Sequence, residues 1–232
     1  MGNYLIIGGS KGIGFSLAKT LAVENNVWSL SRTASSELNQ SKITQIAYDV
    51  LNPEKPTFEI PQQLHGLAYC VGSINLKPFS RLTEEDFLLD FKINVLAAVK
   101  IIQHALPALK SSGNASIVLF STVAVQTGMG YHASVASAKG AVEGLTRSLA
   151  AELAPIVRVN CIAPSLTNTP LAEKLLNTSE KVDASNKRHP LGRIGTPEDI
   201  ASLAEFLLTE KSSWVTGQVF HADGGLSSLR VM

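Results

Sequence analysis

The chain has 232 residues, 45% hydrophobic but only 6% aromatic, and 20 basic against 19 acidic side chains leave a formal net charge of +1. A balance this near neutrality, without a long Lys/Arg run, argues against nucleic acid or a membrane surface as partner. No apolar run approaches the roughly 18 residues of a membrane span.

The start, Met1-Gly2-Asn3-Tyr4, leads into an apolar strand over residues 3–7 without the basic region and cleavage site of a secretory leader, so a cytoplasmic protein is expected. The strand runs into Gly8-Gly9-Ser10-Lys11-Gly12-Ile13-Gly14, and a helical pattern follows over 13–24. Strands are predicted at 27–30 and 43–48. The connection over 51–63 holds Pro53, Pro56 and Pro61 and is expected to be irregular. A strand at 66–71 precedes a long helix at 84–109, which the capping box of Thr83 and Asp86 opens. Then come a strand at 116–120, a helix at 136–154 and a strand at 158–162. A polar stretch follows over 170–195, helix-like at 171–176. Thr196 as N-cap and Pro197 at the first helical position start a helix over 197–208, and a strand at 218–221 comes last. Most strands are short and continuously apolar, as strands covered on both faces are. Strand–helix alternation predicts an α/β, Rossmann-type doubly wound parallel sheet of about seven strands with helices on both faces. No linker or repeat divides the chain, so one domain over 1–232 is expected. Cys70 and Cys161 fall in strands and read as inert thiols.

The glycine turn carries the first functional reading. A turn this tight needs backbone angles that glycine adopts freely. Glycines also let amides and a helix N-terminus approach a pyrophosphate, which the helix dipole favours. The turn follows the first strand and opens a helix, the context a dinucleotide site requires.

Several motifs in order resemble those of the short-chain dehydrogenases/reductases: Gly8-(x3)-Gly12-x-Gly14, Asp49-Val50, Asn94, Lys139-Gly140-Ala141, Arg158-Val159-Asn160 and Asp223-Gly224-Gly225. The resemblance covers essentially the whole chain. It implies a seven-stranded sheet, a nicotinamide cofactor, a small-molecule substrate, no metal, and a homotetramer or homodimer. The cofactor set it implies is Gly8, Ser10, Lys11, Gly12, Ile13, Gly14, Ser31, Arg32, Asp49, Val50, Gly72, Asn94, Lys139, Pro164, Thr167 and Thr169. Asp49 would accept from the adenine amino group and Val50 pack on its ring, while Thr167 and Thr169 would face the nicotinamide carboxamide. Ser165 stands where the family usually has glycine.

After the second strand the sequence reads Leu30-Ser31-Arg32-Thr33, with no carboxylate to hold a ribose 2′-hydroxyl. Arg32 presents a planar fork to a 2′-phosphate, and Lys11 adds a second cation, so NADP(H) is the expected cofactor.

The family pattern breaks at the proton donor. By resemblance, Lys139 binds the nicotinamide ribose and lowers the pKa of a neighbouring acid, and Asn94 holds a water. Four residues before Lys139, where the family has tyrosine, stands Val135. Thirteen residues further back is Thr122, preceded by Ser121, so a hydroxyl remains at the orienting position. His132 and Tyr131, seven and eight residues before Lys139, are the replacement acids, with His132 ranked first. Ser134 and Ser137 read as capping serines, and His104 and His189 as surface residues. The family's segment over 170–195 covers the substrate as a lid, and here Lys187 and Arg188 would suit an anionic group. Two functions remain open: an NADP(H)-dependent oxidoreductase acting on C=O or activated C=C with an unconventional proton donor, or a catalytically silent NADP-binding or scaffold member.

Overall fold

A computed structural model describes residues 1–39, 41–52 and 54–230. Pro53, one of the three prolines expected to break the 51–63 connection, lies outside the described residues.

Seven parallel strands form one sheet in the order β3-β2-β1-β4-β5-β6-β7. They are β1 (Asn3–Ile7), β2 (Asn26–Ser31), β3 (Ile43–Ala47), β4 (Gly66–Tyr69), β5 (Ala115–Phe120), β6 (Val157–Pro164) and β7 (Val219–Ala222). The helices are α1 (Gly12–Leu21), α2 (Glu84–Phe91), α3 (Ala97–Ser111), α4 (Ala124–Thr127), α5 (Ala133–Leu153), α6 (Ser179–Asn186) and α7 (Pro197–Leu208). The chain order reverses between β1 and β4, and this switch point opens a crevice at the carboxyl ends of the strands.

The continuously apolar strands have two covered faces. Leu5, Ile7, Leu67, Ile117 and Val159 pack against Ile101, Ile102 and Leu109 of α3 and Val142 and Leu153 of α5. The alternate residues Ile6, Val27, Ala68, Val118 and Ile162 pack against Leu17 and Leu21 of α1 and Ile200, Ala204 and Leu207 of α7. Each Leu, Ile or Val among these contributes about 1.5–3 kcal/mol on full burial.

Both predicted helix starts are capped as the sequence implies, with Thr83 paired to Asp86 and Thr196 to Asp199 in reciprocal boxes. The single helix expected over 84–109 is instead α2 and α3 joined by a π-turn at Lys92–Leu96. The cause is local. Asn94 turns its side-chain Nδ2 onto the Asp90 carbonyl at 2.8 Å, the acceptor its own backbone amide would use in an α-helix. α5 begins at Ala133, three residues earlier than predicted, which puts His132 at its N-cap. The stretch over 170–195 carries a 3₁₀ turn at Pro170–Leu175 and then α6, whose polar sequence gave no periodic signal.

Candidate active site at the carboxyl edge of the sheet

The glycine turn closes on contacts that exclude any side chain. A Cβ on Gly9 would stand 2.3 Å from Ser29 Oγ, and one on Gly14 would stand 2.4 Å from the Gly8 carbonyl oxygen. Gly8 and Gly12 have φ of +85° and +56°. α1 begins directly after, with no side chain capping it and no acidic residue in its first turn, so its amides are left for an anion. Lys11 and Arg32 are exposed, and neither enters an ion pair among the described residues. Asp49 uses Oδ1 to accept from the Leu51 amide at 2.9 Å, and Val50 is buried behind it.

The second half of the site is a cavity of about 700 Å³ beyond β4, β5 and β6. Ile13, Gly72, Ser121, Thr122, His132, Val135, Lys139, Pro164, Thr167 and Thr169 all line it. Lys139 is 8% exposed, and its Nζ donates to the Phe120 carbonyl at 2.8 Å. Burial pulls its pKa down to about 8. A Cβ on Gly72 would lie 3.3 Å from both Lys139 Nζ and Asn94 Oδ1, so both polar atoms border the space that glycine leaves open. Asn94 donates from Nδ2 to Ser73 Oγ at 2.9 Å, and Ser73 donates to Asp90 Oδ1 at 2.6 Å. Asn94 Oδ1 is buried and has no partner among the described residues.

Of the two adjacent hydroxyls, Ser121 donates to Glu143 Oε1 at 2.7 Å, and Thr122 accepts from the Ala124 amide at 3.3 Å. His132 and Tyr131, neighbours in sequence, part here. His132 faces the cavity, with Nδ1 2.7 Å from the Gly130 carbonyl. Tyr131 has φ of +68°, is 65% exposed and does not line the cavity. Ser134 and Ser137 do not cap: Ser137 donates back to Ala133 O, and the Ser134 hydroxyl is buried without a partner among the described residues.

Both supposed surface histidines are otherwise placed. His104 sits edge-on to Phe58, 4.7 Å between ring centres. His189 is 5% exposed and lines the cavity, a position sequence reasoning missed because its contacts come from segments remote in the chain. Of the expected anion-binding pair, Arg188 lines the cavity and Lys187 does not, whereas Lys174 and Lys181 do. Burial pushes Cys70 and Cys161 to about 12, which keeps both as thiols. Cys70 lies one residue beyond β4 and borders the cavity. Among the described residues no helix is long and apolar enough to cross a membrane, and no group of three or more His, Cys, Asp or Glu side chains is positioned to hold a metal ion.

Comparison with known proteins agrees with this geometry. The profile of the family described as Enoyl-(Acyl carrier protein) reductase matches residues 7–227. A tropinone reductase homologue of Arabidopsis thaliana is 33% identical over 240 residues, covering 96% of this chain and 78% of its own length. A short chain dehydrogenase family protein from Francisella tularensis superposes with a TM-score of 0.86 at 26% identity, over 99% of this chain and 100% of that one. ElxO with NADP bound superposes with a TM-score of 0.86 at 27% identity, again over 99% and 100%. With the profile matching residues 7–227 and a relative 33% identical over 96% of the chain, the chain belongs to the short-chain dehydrogenase/reductase family of oxidoreductases.

Proposed function

We propose that this chain is a cytoplasmic NADP(H)-dependent reductase of small molecules carrying a C=O or activated C=C bond, working as a homodimer or homotetramer. The observation that carries the reading is the buried Lys139 ammonium sharing one cavity with Thr122 and His132. A silent NADP-binding member would use Lys139 to hold the ribose but has no need of Thr122 and His132 in the same cavity.

The residues fit the cofactor. The uncapped start of α1 suits a pyrophosphate, and the partnerless Asn94 Oδ1 and the spare donors of Lys139 offer hydrogen bonds beside Gly72. When bound, the nicotinamide supplies the hydride. Lys139 then holds the ribose hydroxyls and keeps positive charge beside the reacting oxygen. Thr122 orients the substrate carbonyl. A carbonyl oxygen only accepts, so His132 donates from Nδ1 to Gly130 and keeps Nε2 for substrate. Protonated, that nitrogen is the acid that Val135 is not. Exposed apolar side chains on α2 and the π-turn, Leu88, Leu89 and Leu96, support association of copies.

The proton-donor assignment is tested by turnover with NADPH across ketones, quinones and enoyl thioesters. His132→Ala should lower kcat by about 100-fold, and Tyr131→Phe should leave it within about twofold. Equal effects would remove His132 from the role, and no turnover of any substrate would favour the silent reading. For the cofactor, Arg32→Ala should weaken NADPH binding by about 10–100-fold, the range of a charge-assisted hydrogen bond, with NADH binding unchanged. A parallel loss for both cofactors, read by fluorescence titration, would count against a 2′-phosphate site.

The segment over 170–195 covers the substrate in this reading, and its cavity-lining cations suit an acidic one. Arg188→Ala should raise KM for an acidic substrate about 10-fold with NADPH affinity kept, and Lys187→Ala should change neither. Equal effects of the two variants would deny Arg188 a specific contact.

A further inference from the structure

Ser165 and His189 are joined by a 2.8 Å hydrogen bond between Oγ and Nε2, although 24 residues separate them. Across the ring, Nδ1 lies 2.8 Å from the carbonyl oxygen of Ser185. That oxygen can only accept, so Nδ1 carries a proton. In the neutral ring Nε2 is therefore a lone pair, and the Ser165 hydroxyl donates to it. The ring is buried, and Gly224, at φ of +61°, passes so close that a Cβ there would stand 3.6 Å from His189 Cδ2. Ser165 is half-buried, and both side chains line the cavity. The amide of Leu166, next along the chain, donates to no protein acceptor among the described residues.

A serine hydroxyl donating to a histidine whose far nitrogen is held by a third group is the arrangement of an activated nucleophile. We propose that Ser165 and His189 form a second reactive centre, an acyl-transfer site for small activated esters and thioesters that needs no nicotinamide. Ser165 Oγ attacks the acyl carbonyl carbon as its proton passes to His189 Nε2. The Leu166 amide, immediately after the nucleophile, is available to the oxyanion. Collapse breaks the bond to the alcohol or thiol, which leaves with the proton from His189. Water then attacks the acyl-serine, gives its proton to the same nitrogen and releases the acid, restoring the hydroxyl. Ser185 contributes only its carbonyl, which fixes the tautomer, and is a positioning residue.

The test uses the full chain without added cofactor and a fluorophosphonate–biotin probe, with the adduct mapped by peptide mass spectrometry. The expected result is one adduct on Ser165, absent from Ser165→Gly and formed about 100-fold more slowly in His189→Gln. The wild-type labelling rate should rise with pH as one group loses its proton, and p-nitrophenyl acetate should give a burst of nitrophenol. No adduct, an adduct elsewhere, or equal rates in wild type and His189→Gln would overturn the proposal. Should the glutamine variant lose its cooperative thermal transition, the wild-type profile decides, and a flat rate between pH 5 and 9 overturns it.

Discussion

Replacing Lys139 with methionine is expected to lower NADPH-dependent turnover by about 1,000-fold and to change how stability follows pH. On the proposed roles the loss would combine a missing ribose contact with a missing charge in the reaction cavity, and acid–base effects of this kind run to about 100–10,000-fold. The stability effect follows from burial. Lys139 titrates at about 8 in the fold against 10.5 in the unfolded chain. Between those values the unfolded state holds the extra proton, so the lysine makes stability rise with pH across that window and contributes no slope well below pH 8. Urea midpoints at several pH values between 7 and 10 should therefore climb more steeply for wild type than for Lys139→Met. Parallel curves would mean that the ammonium is not desolvated, and undiminished turnover would remove Lys139 from the reaction.

Gly14→Ala is expected to cost about 3 kcal/mol of stability and to abolish NADPH binding. Alanine in a helix normally gains about 1 kcal/mol over glycine. Here the added Cβ would lie 2.4 Å from the Gly8 carbonyl oxygen and 3.2 Å from Cys70 Cβ. The obstacle is backbone at the end of β1, which cannot rotate away, so overpacking outweighs the propensity gain. Moving α1 outward would also shift the amides offered to the pyrophosphate. At about 2–4 °C per kcal/mol for a chain of this size, the melting temperature should fall by roughly 6–12 °C. A variant as stable as wild type would show that α1 can lift from the strand at little cost.

The local grammar of the chain was legible where short-range physics sets it. Thr83 with Asp86 and Thr196 with Asp199 close their capping boxes because the partners are three residues apart and need no distant contact. The glycine turn was legible for the same reason, and the count from Lys139 back to Val135 needs only the helix. The π-turn was not, since nothing in the apolar period over residues 84–109 marks where the Asn94 side chain displaces its own backbone from the ladder. α6 was missed because Ser179–Asn186 is mostly polar, and Val182 and Ala184 alone make no apolar stripe.

From the sequence alone came the alternation of strands and helices, the glycine turn, the Lys11 and Arg32 cations on which the expectation of NADP(H) stands, and Val135 at the position of the family's tyrosine. The alternation and the turn rest on periodicity, spacing and near neighbours; the reading of the cations and of Val135 rests on the resemblance to the family. Only the tertiary structure set His132 and Tyr131 apart in place: Tyr131, at a left-handed φ, is exposed, while the next residue lines the cavity. Only it placed Asn94 and Lys139 together beside Gly72, and bonded His189 to Ser165 across 24 residues. Periodicity records which face of an element is buried, and it holds no information about which remote element supplies the opposite wall.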